Sequence, residues 1–146
     1  MKRLLVLCLA LLACNRERPR ASDTESDAAP PPDSGLSEYA AHVNLVSPLP
    51  GATITSPLRV MGSARGFWFF EASFPVMLLD GNGDTLDMKP AQAQGEWMNK
   101  EWVPFATVLE FTTPATTTGT LVLRKDNPSG LPENDAEVRI PVRFTP

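Results

Sequence analysis

The sequence is poor in the side chains that catalysis usually draws on. Histidine occurs once, at His42, and cysteine twice, at Cys8 and Cys14. Beyond residue 14 the chain can therefore form no disulfide and no cysteine zinc site. His42 has no second histidine or downstream cysteine with which to build a metal centre or a triad. Basic charge is also scarce: 13 Lys and Arg stand against 17 Asp and Glu, a net charge of −4 with a pI near 5.0. That excludes a nucleic-acid binder dependent on a basic face. No glycine-rich phosphate loop is present. The apolar run 4–12 has nine residues, too few to span a bilayer as a helix. What is abundant is proline, 15 residues, which disfavours an all-α fold. Hydrophobic residues at 42% and charged residues at 21% are ordinary for a globular chain, so disorder throughout is excluded as well.

The N-terminus reads as an address. Met1-Lys2-Arg3 is a short positive segment, the run 4–12 follows, and Leu11-Leu12-Ala13-Cys14 closes it. This tetrapeptide resembles a bacterial lipobox. The resemblance implies a signal peptide over 1–13, cleavage after Ala13 and lipidation of the Cys14 thiol. The mature chain would then carry 11 basic and 17 acidic residues, a net charge of −6. Such a charge does not hold a protein on an anionic membrane, so the lipid must do so. Asn15 rather than Asp follows the cysteine, which points to the outer membrane in a cell that has two. The expected location is the cell envelope, outside the cytoplasm.

Residues 15–41 are polar, rich in Pro, Ser, Ala and Asp, and offer few large apolar groups to bury. They read as a disordered tether of roughly 27 residues, about 29 Å across as a coil and up to about 84 Å if extended.

From His42 to residue 146 the pattern changes to short β-branched runs broken by Pro, Gly, Asn and Asp, the mark of an all-β sandwich or barrel. Seven strands are expected, near 43–47, 57–64, 73–79, 85–92, 103–111, 119–125 and 136–144. The last has the clearest period of two: Val138, Ile140, Val142 and Phe144 alternate with Arg139, Pro141 and Arg143. Pro141 cannot donate to a ladder, so one side of that strand is expected to be unpaired there. Asn82-Gly83 reads as a hairpin turn in which both central residues tolerate positive φ. Asp80, Asn82 and Asp84 also resemble the opening of an EF-hand loop. Thr85 and Ala91 then stand where that loop needs Gly and Glu, so the hairpin reading is kept. Seven strands in about 105 residues fit an immunoglobulin-like sandwich.

Several short motifs follow in order: Ser47-Pro48-Leu49-Pro50-Gly51, Ser56-Pro57-Leu58, Gly62-Ser63-Ala64, Phe70-Glu71-Ala72, Asp80-Gly81-Asn82-Gly83 and Asp126-Asn127-Pro128-Ser129-Gly130. Together they resemble the immunoglobulin-like domain of bacterial spore germination, the Gmad type often found beside GerMN domains. The resemblance covers about 43–144. It implies an extracytoplasmic, non-catalytic module with a role in germination or envelope assembly, and carries over no ligand residues and no cofactor.

If the strands run antiparallel in succession, loops 65–72, 93–102 and 126–135 fall at one end. All three tryptophans lie in these loops. Aromatic anchors with a polar rim suit a binding surface, so Trp68, Phe70, Glu71, Trp97, Trp102, Asn127 and Glu133 are the candidate contacts. Most of these aromatics are expected to cap the end of the core, which leaves one or two as contacts; if 67–70 is instead extended, alternation buries either Phe67 and Phe69 or Trp68 and Phe70. The expected role is a monomeric, lipid-anchored module that binds an envelope protein. The alternative is a carbohydrate- or peptidoglycan-binding module stacking sugar on tryptophan. Scattered carboxylates such as Glu71, Glu96, Glu101 and Glu110 are no glycosidase pair, and no catalytic, metal or cofactor site is expected.

Overall fold

The computed structural model describes residues 41–145. Cys14, the signal peptide and the tether lie outside the described residues. The strands are β1 (Val43–Ser47), β2 (Thr53–Ile54), β3 (Leu58–Arg65), β4 (Ser73–Asp80), β5 (Thr85–Ala93), β6 (Trp102–Leu109), β7 (Thr118–Arg124) and β8 (Glu137–Phe144). There are eight rather than seven. The extra strand, β2, lies in the stretch expected to be a plain link between the first two strands. Its two residues are too few to show a period in sequence.

The strands form one curled sheet in the order β1-β3-β6-β5-β4-β7-β8-β2. Every pairing is antiparallel except β2 with β8. The sheet works as two wings, β1-β3-β6 and β5-β4-β7-β8-β2, with the core between them. Two features close it. At one margin Gln92 and Ala93 of β5 pair with Ala106 and Phe105 of β6. At the other, the opening segment starts on one wing as β1 and finishes on the other as β2. Neighbours in space are often distant in sequence, since β3 pairs with β6 and β4 with β7. The succession of simple hairpins is thus replaced by crossed pairings, which bring both wings onto one core.

Alternation positions the core. In β8 the set Val138, Ile140, Val142 and Phe144 is buried while Arg139, Pro141 and Arg143 face solvent. In β4 the buried set is Phe74, Val76 and Leu78. The wings interlock through rings: Phe69 meets Phe74 at 5.0 Å and Phe74 meets Phe105 at 4.9 Å, both edge to face. No polar or charged residue among those described is buried. The sheets are held by apolar packing.

Edges are managed locally. The carbonyl of Pro141 accepts from Gly51 N at 2.7 Å, and Arg143 N donates to Ala52 O at 2.9 Å. The proline therefore sits on the side of β8 where residues 51–54 approach, and the missing donor falls before the two-residue ladder with β2. On β5 the Asp87 carboxylate accepts from Met88 N and from Glu110 N, each at 2.8 Å, and Pro90 has no N–H to offer. Both devices blunt an otherwise open edge.

The turn at 80–84 differs in kind from the one expected. Gly83 N donates to Asp80 O at 3.1 Å, and only Gly83 has positive φ, at 90°. Asp80 N also donates to Asp84 O at 2.9 Å, so the turn ends in a glycine bulge, and a separate register slip between Leu78 and Leu79 leaves Leu86 as the extra residue of β5. The Asp80 carboxylate accepts from Asn82 N at 2.8 Å and Asp84 N at 3.0 Å, which commits it to the turn. On the outer face, Glu137 takes Arg139 at 2.7 Å and Arg124 at 3.3 Å. Partial burial pushes its carboxyl up, but the two guanidiniums outweigh this and hold it below the usual value. The pairing therefore stabilises the fold above the ordinary glutamate range, and that contribution fades as pH falls through the lowered value.

Candidate functional site

Loop 65–72 is the hub of one end of the molecule. Gly66 N donates to Glu101 O at 3.0 Å, and Arg65 Nη1 reaches Lys100 O at 3.4 Å, which ties the hub to loop 93–102. Asp126 N donates to Trp68 O at 3.0 Å, which ties it to loop 126–135. Gly66 is buried, and a Cβ there would collide with the carbonyls of Asn99 and Trp97. The approach of the first two loops therefore requires glycine at this position.

Residues Gly66–Trp68 form a single 3-10 turn, with Phe69 N donating to Gly66 O at 3.2 Å. This overturns the extended reading of 67–70. A strand sends neighbours to opposite faces, whereas a 3-10 turn rotates each residue by only a third of a circle. Consecutive Trp68 and Phe69 therefore both enter the core, at 1% and 4% exposure. Phe67 and Phe70 are left outside at 48% and 41%. Trp68 is a core residue and offers no contact surface.

The remaining candidates separate clearly. Trp97 is half-buried and packs against the core. Trp102 is partly exposed on the outer face of β6, with the Arg65 guanidinium 4.3 Å above its ring. Asn127 is half-buried and Glu133 exposed, both in loop 126–135. His42 is half-buried at this end. Its ring stacks on Trp68 at 5.9 Å and meets the edge of Phe67 at 5.5 Å. The His42 Nδ1 and Trp68 Nε1 atoms are buried and have no hydrogen-bond partner among the described residues.

Phe70 and Glu71 belong to a two-residue hairpin. Phe70 and Ser73 exchange both backbone hydrogen bonds at 3.0 Å, with Glu71 at φ 48° and Ala72 at φ 61° between them. Left-handed backbone at two consecutive non-glycine residues is costly, and such turns prefer Asn-Gly. The double substitution Glu71→Asn with Ala72→Gly is expected to stabilise the domain by about 1–2 kcal/mol. Urea denaturation measures it, and an unchanged midpoint would contradict the strain.

Between this hub and loop 126–135 lies a cleft of about 290 Å³ lined by Phe67, Phe69, Phe70, Asp126, Asn127 and Ser129 among others. Apart from the Asp126 carboxylate, its polar wall is largely paired internally. Asn127 Nδ2 donates to Leu131 O at 2.8 Å and to Asp135 Oδ1 at 2.7 Å, while its Oδ1 accepts from the backbone and hydroxyl of Ser129. Ser129 Oγ in turn accepts from Asn134 Nδ2 at 3.0 Å. The network fixes the loop and leaves two exposed phenyl rings beside it. Phe67, Asp126 and the glycine junction were not among the candidate residues. The clue in the sequence is the Arg65-Gly66 step directly before the aromatic run.

Residues 42–131 match a family model described as the immunoglobulin-like domain of bacterial spore germination. The matched stretch runs from just before β1 into loop 126–135. No curated protein matches the chain.

Proposed function

This chain belongs to the family of immunoglobulin-like domains of bacterial spore germination, and on that premise we propose a lipid-anchored envelope module that binds another envelope protein through its loop end, in germination or envelope assembly. The observation that carries this reading is the joined hub: Phe67 and Phe70 stand exposed on loops braced by Gly66, Trp68 and the Asn127 network. Exposed aromatic rings on a rigid support are what hot spots are made of. The fold is of the kind typical of non-catalytic, binding-type modules.

A sugar-binding role would need polar groups beside the rings that both donate to and accept from hydroxyls. Here the Asn127 and Ser129 side chains are spent within their own loop, and the Asp126 and Glu71 carboxylates beside the rings can only accept. This favours a protein partner. Alanine at Phe70 is expected to weaken partner binding by about 2 kcal/mol, with the melting temperature nearly unchanged. Unaltered affinity, or an equal loss of stability, would remove this end from the interface.

The anchor is tested separately. Cys14→Ser should abolish incorporation of labelled palmitate and leave the precursor uncleaved. A variant that is processed normally and still partitions into membranes would show that the lipid on Cys14 is not what holds it.

A further inference from the structure

Charge is distributed unevenly over the fold. Loops 65–72, 93–102 and 126–135 together hold six acidic and two basic residues, a net charge of −4. The rest of 41–145 holds five acidic and six basic residues, a net charge of +1. The acidity of the domain is thus gathered at the end that carries the exposed rings. Of the nearby cations, Arg65 lies over Trp102, Lys125 also lines the cleft but its Nζ donates to Asn134 O at 2.9 Å, and Lys100 stands exposed on loop 93–102 outside the cleft lining. Asp126, by contrast, lines the cleft with Phe67 and Phe70, and its carboxylate makes no hydrogen bond or ion pair with the described residues. The Glu71 carboxylate, next to Phe70, is likewise unpaired.

We infer that the partner presents a basic segment, and that one of its lysine or arginine side chains enters the cleft lined by Phe67, Phe70 and Asp126. This rests on the binding role proposed for the loop end. The chemistry is specific. A phenyl face attracts a cation through its quadrupole, and an adjacent carboxylate supplies the counter-charge. The long apolar stem of lysine or arginine covers the rings while its head reaches the carboxylate. The net −4 of the surrounding loops steers such a segment toward this end and turns acidic ones away.

The test is an NMR titration of the isotope-labelled full chain in non-ionic detergent, with hexalysine and hexaglutamate as probes. Hexalysine should shift the signals of Phe67, Phe70, Glu71 and Asp126 in a saturable, salt-sensitive way, and hexaglutamate should not. Glu71→Gln with Asp126→Asn, which keeps the shape of both side chains, should weaken hexalysine by about tenfold. Phe67→Ala with Phe70→Ala should do the same, with the fold checked by circular dichroism. The inference fails if hexalysine perturbs Asp80, Asp84 and Asp87 as strongly, or if hexaglutamate binds equally well. It also fails if removing Arg16, Arg18 and Arg20 together tightens hexalysine binding severalfold, because the basic occupant is then the chain itself. A crosslinker placed at Phe70 in cells separates the two readings. Partner capture without hexalysine binding sinks the basic segment alone, and loss of both sinks the loop-end interface.

Discussion

Replacing Trp68 by alanine is expected to cost the domain about 3–5 kcal/mol, while the same change at Trp102 costs under about 1 kcal/mol. Both are tryptophans at the same end, and the sequence treats them alike. Trp68 is 1% exposed and belongs to the core cluster, with His42 stacked on it. Its removal leaves a cavity that surrounding strands cannot close, and it releases the platform on which Phe67 and Phe70 stand. Trp102 is 37% exposed, lies outside the core cluster and has the Arg65 guanidinium over its ring. Trp68→Phe should recover part of the loss, because it keeps most of the ring volume and removes a buried N–H that has no partner among the described residues. Urea denaturation of the three variants measures the ranking. Equal midpoints for the two alanine variants would contradict the burial of Trp68.

Gly66→Ala is the second large effect, a loss of about 2–3 kcal/mol from one added methyl group. The Cβ would collide with the carbonyls of Asn99 and Trp97, which are backbone atoms and cannot swing aside as a side chain could. Loop 93–102 must move away, and the Gly66 N to Glu101 O hydrogen bond breaks with it. Faster amide exchange should appear in 93–102 and around Gly66, while β7 and β8, paired with each other on the opposite wing, stay protected. Partner binding should fall together with stability, unlike at Phe70, where only binding falls. Faster exchange over the whole sheet instead would mean that the junction is no separate unit.

The amino-acid sequence by itself determined the all-β class, the period-two core faces, the position of every long strand to within about two residues, and the family. These follow from local chemistry. Alternation of Val138, Ile140 and Val142 with Arg139 and Arg143 admits one buried face whatever the neighbours are. It also determined that aromatic residues crowd loops 65–72 and 93–102. Tertiary structure alone decided which of them are buried. A junction glycine and a 3-10 turn set the rotation of 66–69, and that rotation took Trp68 inward and left Phe67 and Phe70 outside. It decided β2 as well, because two residues have no pattern until β8 lies beside them. Turn type was decided the same way. Asn82-Gly83 takes a bulged turn, while Glu71-Ala72 adopts the left-handed pair, because the strands on either side fix the geometry their residues must accept. The acidity of the loop end emerged only once three segments spread over about 70 residues were brought to one place. Charges add over distances of a Debye length in space, not over positions in a chain.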